Sequence, residues 1–233
     1  MESFPFKIIV NMKKQILFIL IFFAVITSYT QTDKEQLALN VSKAEEANQE
    51  KLKEYIWKRS SNVFVENQLK LTTITEFKFG ADGKLETTLI DATTTVKKKP
   101  GLRGAAQQSA AEDKAEYVQN ALTLALKYAF MSKGEMVDFF DKAALSQKDG
   151  MTEAVASNVH VKGDKLLLRI DPNTNLIIYR EFNSLLGTDL IDGQLNYDKF
   201  SNGTMHGTTT TLNMPVQKMR IEGLNQDYTI RVQ

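Results

Sequence analysis

The stretch Lys165–Phe182 constrains the fold more than any other part of the chain. It runs Lys-Leu-Leu-Leu-Arg-Ile, then Asp171-Pro172-Asn173-Thr174, then Asn-Leu-Ile-Ile-Tyr-Arg-Glu-Phe. Leu166, Leu168 and Ile170 alternate with Lys165, Leu167 and Arg169, the period of a strand with one buried face. Asp171 can accept a hydrogen bond from the backbone two residues on, and Pro172 presets φ for the first central turn position. Leu176, Ile178, Arg180 and Phe182 then resume the alternation. A strand, a tight turn and a returning strand commit the chain to antiparallel pairing. The rest of the sequence must supply more sheet, or helices to cover it.

More sheet is what most of it supplies. Tyr55, Trp57, Arg59, Ser61, Val63 and Val65 fall on one face of a strand. After a turn near Glu66-Asn67-Gln68, Leu69, Leu71, Thr73, Thr75, Phe77 and Phe79 share a face of the next. Gly80-Ala81-Asp82-Gly83 is a strong hairpin signal, and Leu85–Thr95 forms a third, Thr-rich strand. These strands are long, which favours strong curvature. Further strands are expected at Met151–Val161, Leu190–Phe200, Thr208–Met214, Gln217–Glu222 and Tyr228–Val232, with Pro215 and Gly223-Leu224-Asn225 as separators. Asp192-Gly193 marks a bulge or bend.

Helical spacing occurs in three places. Residues 33–54 carry a thin stripe of Leu37, Val41, Ala44, Ala47 (or Asn48) and Leu52, with Thr32 or Asp33 able to cap the start. Glu112–Met131 has two adjacent stripes: Val118, Leu122, Ala125 and Ala129, and Tyr117, Leu124, Tyr128 and Met131. Glu135–Leu145 makes a short helix with Phe139 and Phe140. Residues 96–112, containing Lys97, Lys98, Lys99 and Arg103, read as a solvated loop whose positive charges can meet an anion or lipid headgroup.

The N-terminus has the form of an export signal. Lys13 and Lys14 precede an apolar run, Ile16–Ile26, and small residues follow before Gln31. The run is short of the ~20 residues that span a bilayer. Residues 1–30 are therefore expected to be removed, with Met12 the natural start; the alternative is an uncleaved signal anchor. Residues 31–233 are expected to form a single α+β domain with a helical insertion at about 112–145, in the periplasm or secreted. A signal that ends just before Gln is similar to those of Bacteroidetes-like exported proteins.

The chemical inventory is sparse. The chain has no cysteine and two histidines, His160 and His206, so thiolate sites and most zinc sites lack ligands. His206 with a nearby Thr and Asp192 or Asp198 is the only set resembling a hydroxyl–His–carboxylate arrangement, and no strained nucleophile turn accompanies it. The net charge is +1, of which residues 1–30 contribute +2 (Lys7, Lys13 and Lys14 against Glu2), so the remainder is −1. Such a chain has no global footprint for nucleic acid. No cofactor and no enzymatic activity are expected.

Taken in order, the segments are an export signal, a helix, strands turning at Ala81-Asp82-Gly83-Lys84, helices, and strands containing Ile170-Asp171-Pro172-Asn173-Thr174. With Ile177–Phe182, Met219-Arg220-Ile221 and Gln226-Asp227-Tyr228, this order resembles the LolA/LolB-like periplasmic lipoprotein-carrier superfamily. The resemblance implies an unclosed β-barrel lidded by helices that holds acyl chains without catalysis. The fold class expected is accordingly α+β, a strongly curved antiparallel sheet or unclosed barrel covered by helices. The function expected is binding of a lipid or lipoprotein in an apolar sheet–helix cavity. Its expected lining is Trp57, Leu71, Phe77, Phe139, Phe140, Leu166, Leu168 and Ile170. The other reading is an envelope scaffold with a sealed core and no small ligand. Alternation assigns a face to each residue but does not say whether that face is open or covered.

Overall fold

The structure, a computed structural model, describes residues 31–95 and 102–231. Three helices, α1 (Gln31–Leu52), α2 (Leu102–Ala129) and α3 (Lys133–Lys142), accompany ten strands. The strands are β1 (Tyr55–Val65), β2 (Gln68–Phe79), β3 (Leu85–Thr94), β4 (Ala144–Lys148), β5 (Met151–Ser157), β6 (Lys165–Ile170), β7 (Ile177–Leu186), β8 (Asp189–Lys199), β9 (Met205–Met214) and β10 (Met219–Ile230). They form one antiparallel sheet in the order β3-β2-β1-β10-β9-β8-β7-β6-β5-β4. Every strand lies beside a sequence neighbour, and the first and last strands, β1 and β10, pair with each other in the middle. β3 and β4 are the two edges. The sheet is thus unclosed and is not a barrel, as the expected fold class requires.

Local chemistry sets the hairpins. Glu66 and Asn67 join β1 to β2 with φ of 51° and 62°. Two central residues at positive φ give the turn twist that matches a right-twisted strand pair. In the Lys165–Phe182 hairpin, Asp171 accepts from the Asn173 N–H at 3.0 Å and from Lys199 Nζ at 2.8 Å. Those bonds, that of Lys199 foremost, hold the Asp171 carboxyl down at about 2. Leu166, Leu168 and Ile170 are fully buried, as their alternation requires. The returning strand departs from it by one residue. Ile170 pairs with Ile177 and Arg169 with Tyr179, so Ile178 is the extra residue of a bulge and Ile177 takes the inner position.

Several boundaries differ from expectation. α2 begins at Leu102, so residues 102–111 are helix and not loop; the run is rich in Ala and Gln, whose intrinsic preference needs no apolar stripe. α3 begins at Lys133 because Ser132 caps it. The Ser132 hydroxyl accepts from the Glu135 N–H, and the Ser132 N–H donates to Glu135 Oε2 at 2.7 Å. It stops at Lys142, and Leu145 belongs to the short edge strand β4, which sequence pattern did not reveal. β5 ends at Ser157, since the next N–H groups turn inward to a carboxylate. Asp164 accepts from Val159, His160 and Val161 at 2.6, 2.8 and 2.9 Å. β10 runs unbroken through Gly223-Leu224-Asn225. Asp192-Gly193 is no bulge either: β7 and β8 pair there in register. Gly193 is glycine because an added Cβ would come within 2.1 Å of the Phe182 ring.

The core lies where α2 and α3 cover β4–β9. Phe139, Phe140, Leu166, Leu168, Ile170, Phe182 and Ile191 are at most 1% exposed. Tyr128 stacks on Phe182 at 4.2 Å, and its hydroxyl donates to Asp164 at 2.6 Å and bonds Ser184 at 2.8 Å. Burial pushes the Asp164 carboxyl up, but the phenol and three N–H donors outweigh it and leave it below its ordinary value. α1 docks through polar contacts as much as apolar ones. Asn48 exchanges two hydrogen bonds with the Met205 backbone, at 2.7 and 2.9 Å. Glu45 accepts from Arg180 at 2.9 Å and from the Ile177 N–H at 3.0 Å.

Candidate functional site

The other half of the sheet is not sealed. A cavity of about 630 Å³ lies between the inner faces of β1, β2, β8, β9 and β10 and the three helices. The strand periodicity builds its wall directly. Trp57, Arg59, Ser61 and Val63 point inward from β1, and pair in register with Phe77, Thr75, Thr73 and Leu71 of β2. The wall therefore has three zones along the strands: aromatic at Trp57–Phe77, polar at Arg59, Ser61, Thr73 and Thr75, and aliphatic at Val63–Leu71.

The aromatic zone is a stacked cluster. Trp57 lies 5.7 Å from Phe77 and 5.5 Å from Tyr228, both rings nearly parallel to it. Phe200 meets Tyr228 edge-on at 5.1 Å and stacks on His206 at 3.9 Å. The opposing wall is α2. Its two apolar stripes divide, although Met131 of the second stripe also reaches the cavity. Leu124 and Tyr128 enter the sealed core, while Val118, Leu122, Ala125 and Ala129 line the cavity with Leu126 and Phe130. Leu126 and Phe130 stay 43% and 49% exposed at its edge.

Of the residues expected to line a cavity, Trp57, Leu71 and Phe77 do so. Phe139, Phe140, Leu166, Leu168 and Ile170 lie in the sealed core behind it. Lys97, Lys98 and Lys99 lie outside the described residues, and Arg103 falls in the first turn of α2.

Two arginines reach the cavity, and they are held differently. Arg180 is 3% exposed and its charge is matched: Glu45 takes one terminal nitrogen, the Tyr128 carbonyl takes the other at 3.0 Å, and the Tyr197 ring lies 5.7 Å away, while its buried Nε has no hydrogen-bond partner among the described residues. Arg59 has no ion pair and no hydrogen bond to another described residue. Its guanidinium lies on the backbone of β10 at Gly223, where an added Cβ would come within 2.5 Å of Nε and 2.6 Å of Nη2. Burial holds it below its ordinary range. Gly223, expected to separate two strands, instead makes room for this side chain. The sequence signal for Arg59 was its place on the apolar face of the Tyr55–Val65 alternation.

No other constellation gathers chemistry. Among the described residues no group of three or more His, Asp or Glu could hold a metal ion. His206 Nδ1 sits 3.3 Å from the Gly207 carbonyl and makes no hydrogen bond to a described hydroxyl or carboxylate. Burial pushes its imidazole down, below its ordinary value. His160 lies against Tyr128 at 4.8 Å, with Nδ1 3.7 Å from Glu135 Oε1. No helix among the described residues is long and apolar enough to cross a membrane.

No protein-family model matches the chain, and no curated protein does. Solved structures do. A DUF1329 family protein from Desulfovibrio piger is 10% identical over 88% of this chain and 95% of its own, with a TM-score of 0.44. A LolA superfamily protein from Nitrosomonas europaea is 13% identical over 81% and 94%, with a TM-score of 0.36. A domain assigned to outer membrane lipoprotein sorting, from Vibrio parahaemolyticus, is 12% identical over 81% and 92%, with a TM-score of 0.34. LolA-like proteins are thus among the solved structures to which this chain is similar.

Proposed function

We propose that this is a non-enzymatic binding protein of the periplasm or the secreted fraction, which holds a lipid, or the acyl part of a lipid-bearing partner, in the cavity. The observation that carries this reading is the cavity itself. Its volume falls within the range of about 300–1,000 Å³ usual for small-molecule sites, and its surface is mostly apolar, with polar groups contributed from both the sheet and the helices. Trp57, Leu71 and Phe77 form the sheet side of the ligand contact, and Val118, Leu122 and Leu126 the helix side. Lys97, Lys98, Lys99 and Arg103 are placed in this reading against lipid headgroups.

Native mass spectrometry and lipid extraction of the gently purified protein are expected to recover acyl species. Leu122→Trp, which fills the space between α2 and β1, is expected to abolish uptake of a fluorescent fatty acid with an unchanged circular-dichroism spectrum. A protein that carries no lipid and takes up no fatty acid overturns the reading.

A further inference from the structure

An unpaired guanidinium inside an apolar cavity needs an explanation. Placing a cation there takes it out of most of its water, and in a resting structure such a charge is normally matched by a carboxylate. Arg180, on the same cavity wall, shows what a matched one looks like: Glu45 neutralises it. The other charged side chains on the cavity wall are Glu46 and Lys133, both exposed. One positive charge therefore stands uncompensated in the interior. Across the β1–β10 register, its partner Asn225 directs its amide to the Gly207 carbonyl at 3.2 Å instead. The chain also gives up a side chain at position 223, so that the guanidinium has a flat seat on β10.

Resting on the lipid-binding reading, we propose that Arg59 anchors the carboxylate of a single-chain amphiphile, so that the ligand is a fatty-acid-like monoanion and not a neutral acyl ester. The guanidinium fork matches a carboxylate in a bidentate geometry. One free charge balances one anion; a phosphate monoester would leave excess negative charge in the same interior. The flanking zones accommodate the chain. Trp57 and Phe77 lie to one side of Arg59, Val63 and Leu71 to the other, and Leu122 and Leu126 face them from α2. The arrangement also accounts for the hydroxyl residues Ser61, Thr73 and Thr75, which ring the same level of the wall.

The test compares oleate, methyl oleate and oleyl phosphate, below their aggregation concentrations, by calorimetric titration of the full chain. Wild-type protein is expected to bind oleate about 10–100-fold more tightly than methyl oleate, the value of one charge-assisted pair, and oleyl phosphate no more tightly than oleate. Arg59→Leu is expected to erase the oleate preference, leave methyl oleate binding in place, and raise the apo Tm, because it removes an unmatched interior charge. A merely structural arginine would lower that Tm. Equal wild-type affinity for oleate and its methyl ester, a preference that survives in Arg59→Leu, or a clear preference for oleyl phosphate overturns the assignment. Should Arg59→Leu fail to fold, Arg59→Lys carries the test: it keeps the charge and loses the fork, and an undiminished preference overturns it. Binding of methyl oleate without preference for oleate removes only the role of Arg59. Binding of none of the three removes the lipid reading and this inference together.

Discussion

The two halves of the sheet are built from the same alternating pattern and end in opposite states. In β5–β7 the inward positions are buried almost completely, and polar groups around them are closed into local sets such as Tyr128–Asp164–Ser184. In β1, β2 and β10 the inward positions are mostly half-exposed and include a free arginine among serine and threonine residues. The difference lies in what covers each half. α2 sends Leu124 and Tyr128 to one side, where they are buried, and Leu122 and Leu126 to the other, where Leu122 is only partly buried against the core and Leu126 stays exposed. A hydrophobic face is a core where its neighbours fill it, and a binding wall where they stand off.

That contrast can be broken most directly by paired truncations. Leu168→Ala, in the sealed half, is expected to cost about 2–5 kcal/mol, the transfer term plus a cavity. Leu71→Ala, on the open wall, should cost under ~1 kcal/mol, since space already adjoins it. Chemical denaturation of both variants decides the matter; similar losses would mean that the wall is as tightly packed as the core.

Gly193→Ala probes the sealed half from the opposite direction. The new Cβ meets the Phe182 ring, which is stacked on Tyr128 and cannot easily retreat. A loss of about 1–3 kcal/mol is expected from overpacking. A neutral result would show that Phe182 has room the packing does not suggest.

The smallest effect belongs to the rim of the sealed half. The carboxyl of Asp171 is held at about 2, below its unfolded value near 4, so it stabilises the fold when ionised. That contribution is fully present above the unfolded pKa and is lost as pH falls from about 4 through about 2. Because Lys199 is partly exposed, about 1 kcal/mol is expected after screening. Thermal melts of wild type and Asp171→Asn should differ at pH 6 and converge near pH 2; a constant gap would assign the effect to the turn and not to the charge.

Sequence pattern was informative where one residue's face decided its role. The inward sets of β1 and β2, the Asp171 turn and the burial of Leu166, Leu168 and Ile170 all follow from period two. It was weaker where structure depends on a partner far away. β4 has only five residues, too few for alternation to stand out. The start of α2 rests on alanine propensity rather than on a stripe. Gly223 looked like punctuation because its actual reason, the Arg59 side chain, lies on a strand more than a hundred residues earlier. Whether Phe139 and Trp57 line a space or fill one depends on how far α2 and α3 stand from the sheet, which no local pattern encodes. The clue that was present is compositional: hydroxyl and guanidinium groups on an otherwise apolar face mark Arg59, Ser61, Thr73 and Thr75 as a surface not meant to be packed dry.

The pairing of β1 with β10 has a consequence for how this molecule comes into being. Val63 lies opposite Ile221, a loop closure of roughly 160 residues, whereas every other strand contact in β4–β9 joins sequence neighbours. Contacts of such separation form late, after the local hairpins have already lowered the entropy of the intervening chain. The β4–β9 meander can therefore assemble while the N-terminal hairpins still wait for their place. The cavity wall is complete only when the C-terminal strand bridges the two, so its geometry depends on the contact of longest sequence separation in the sheet.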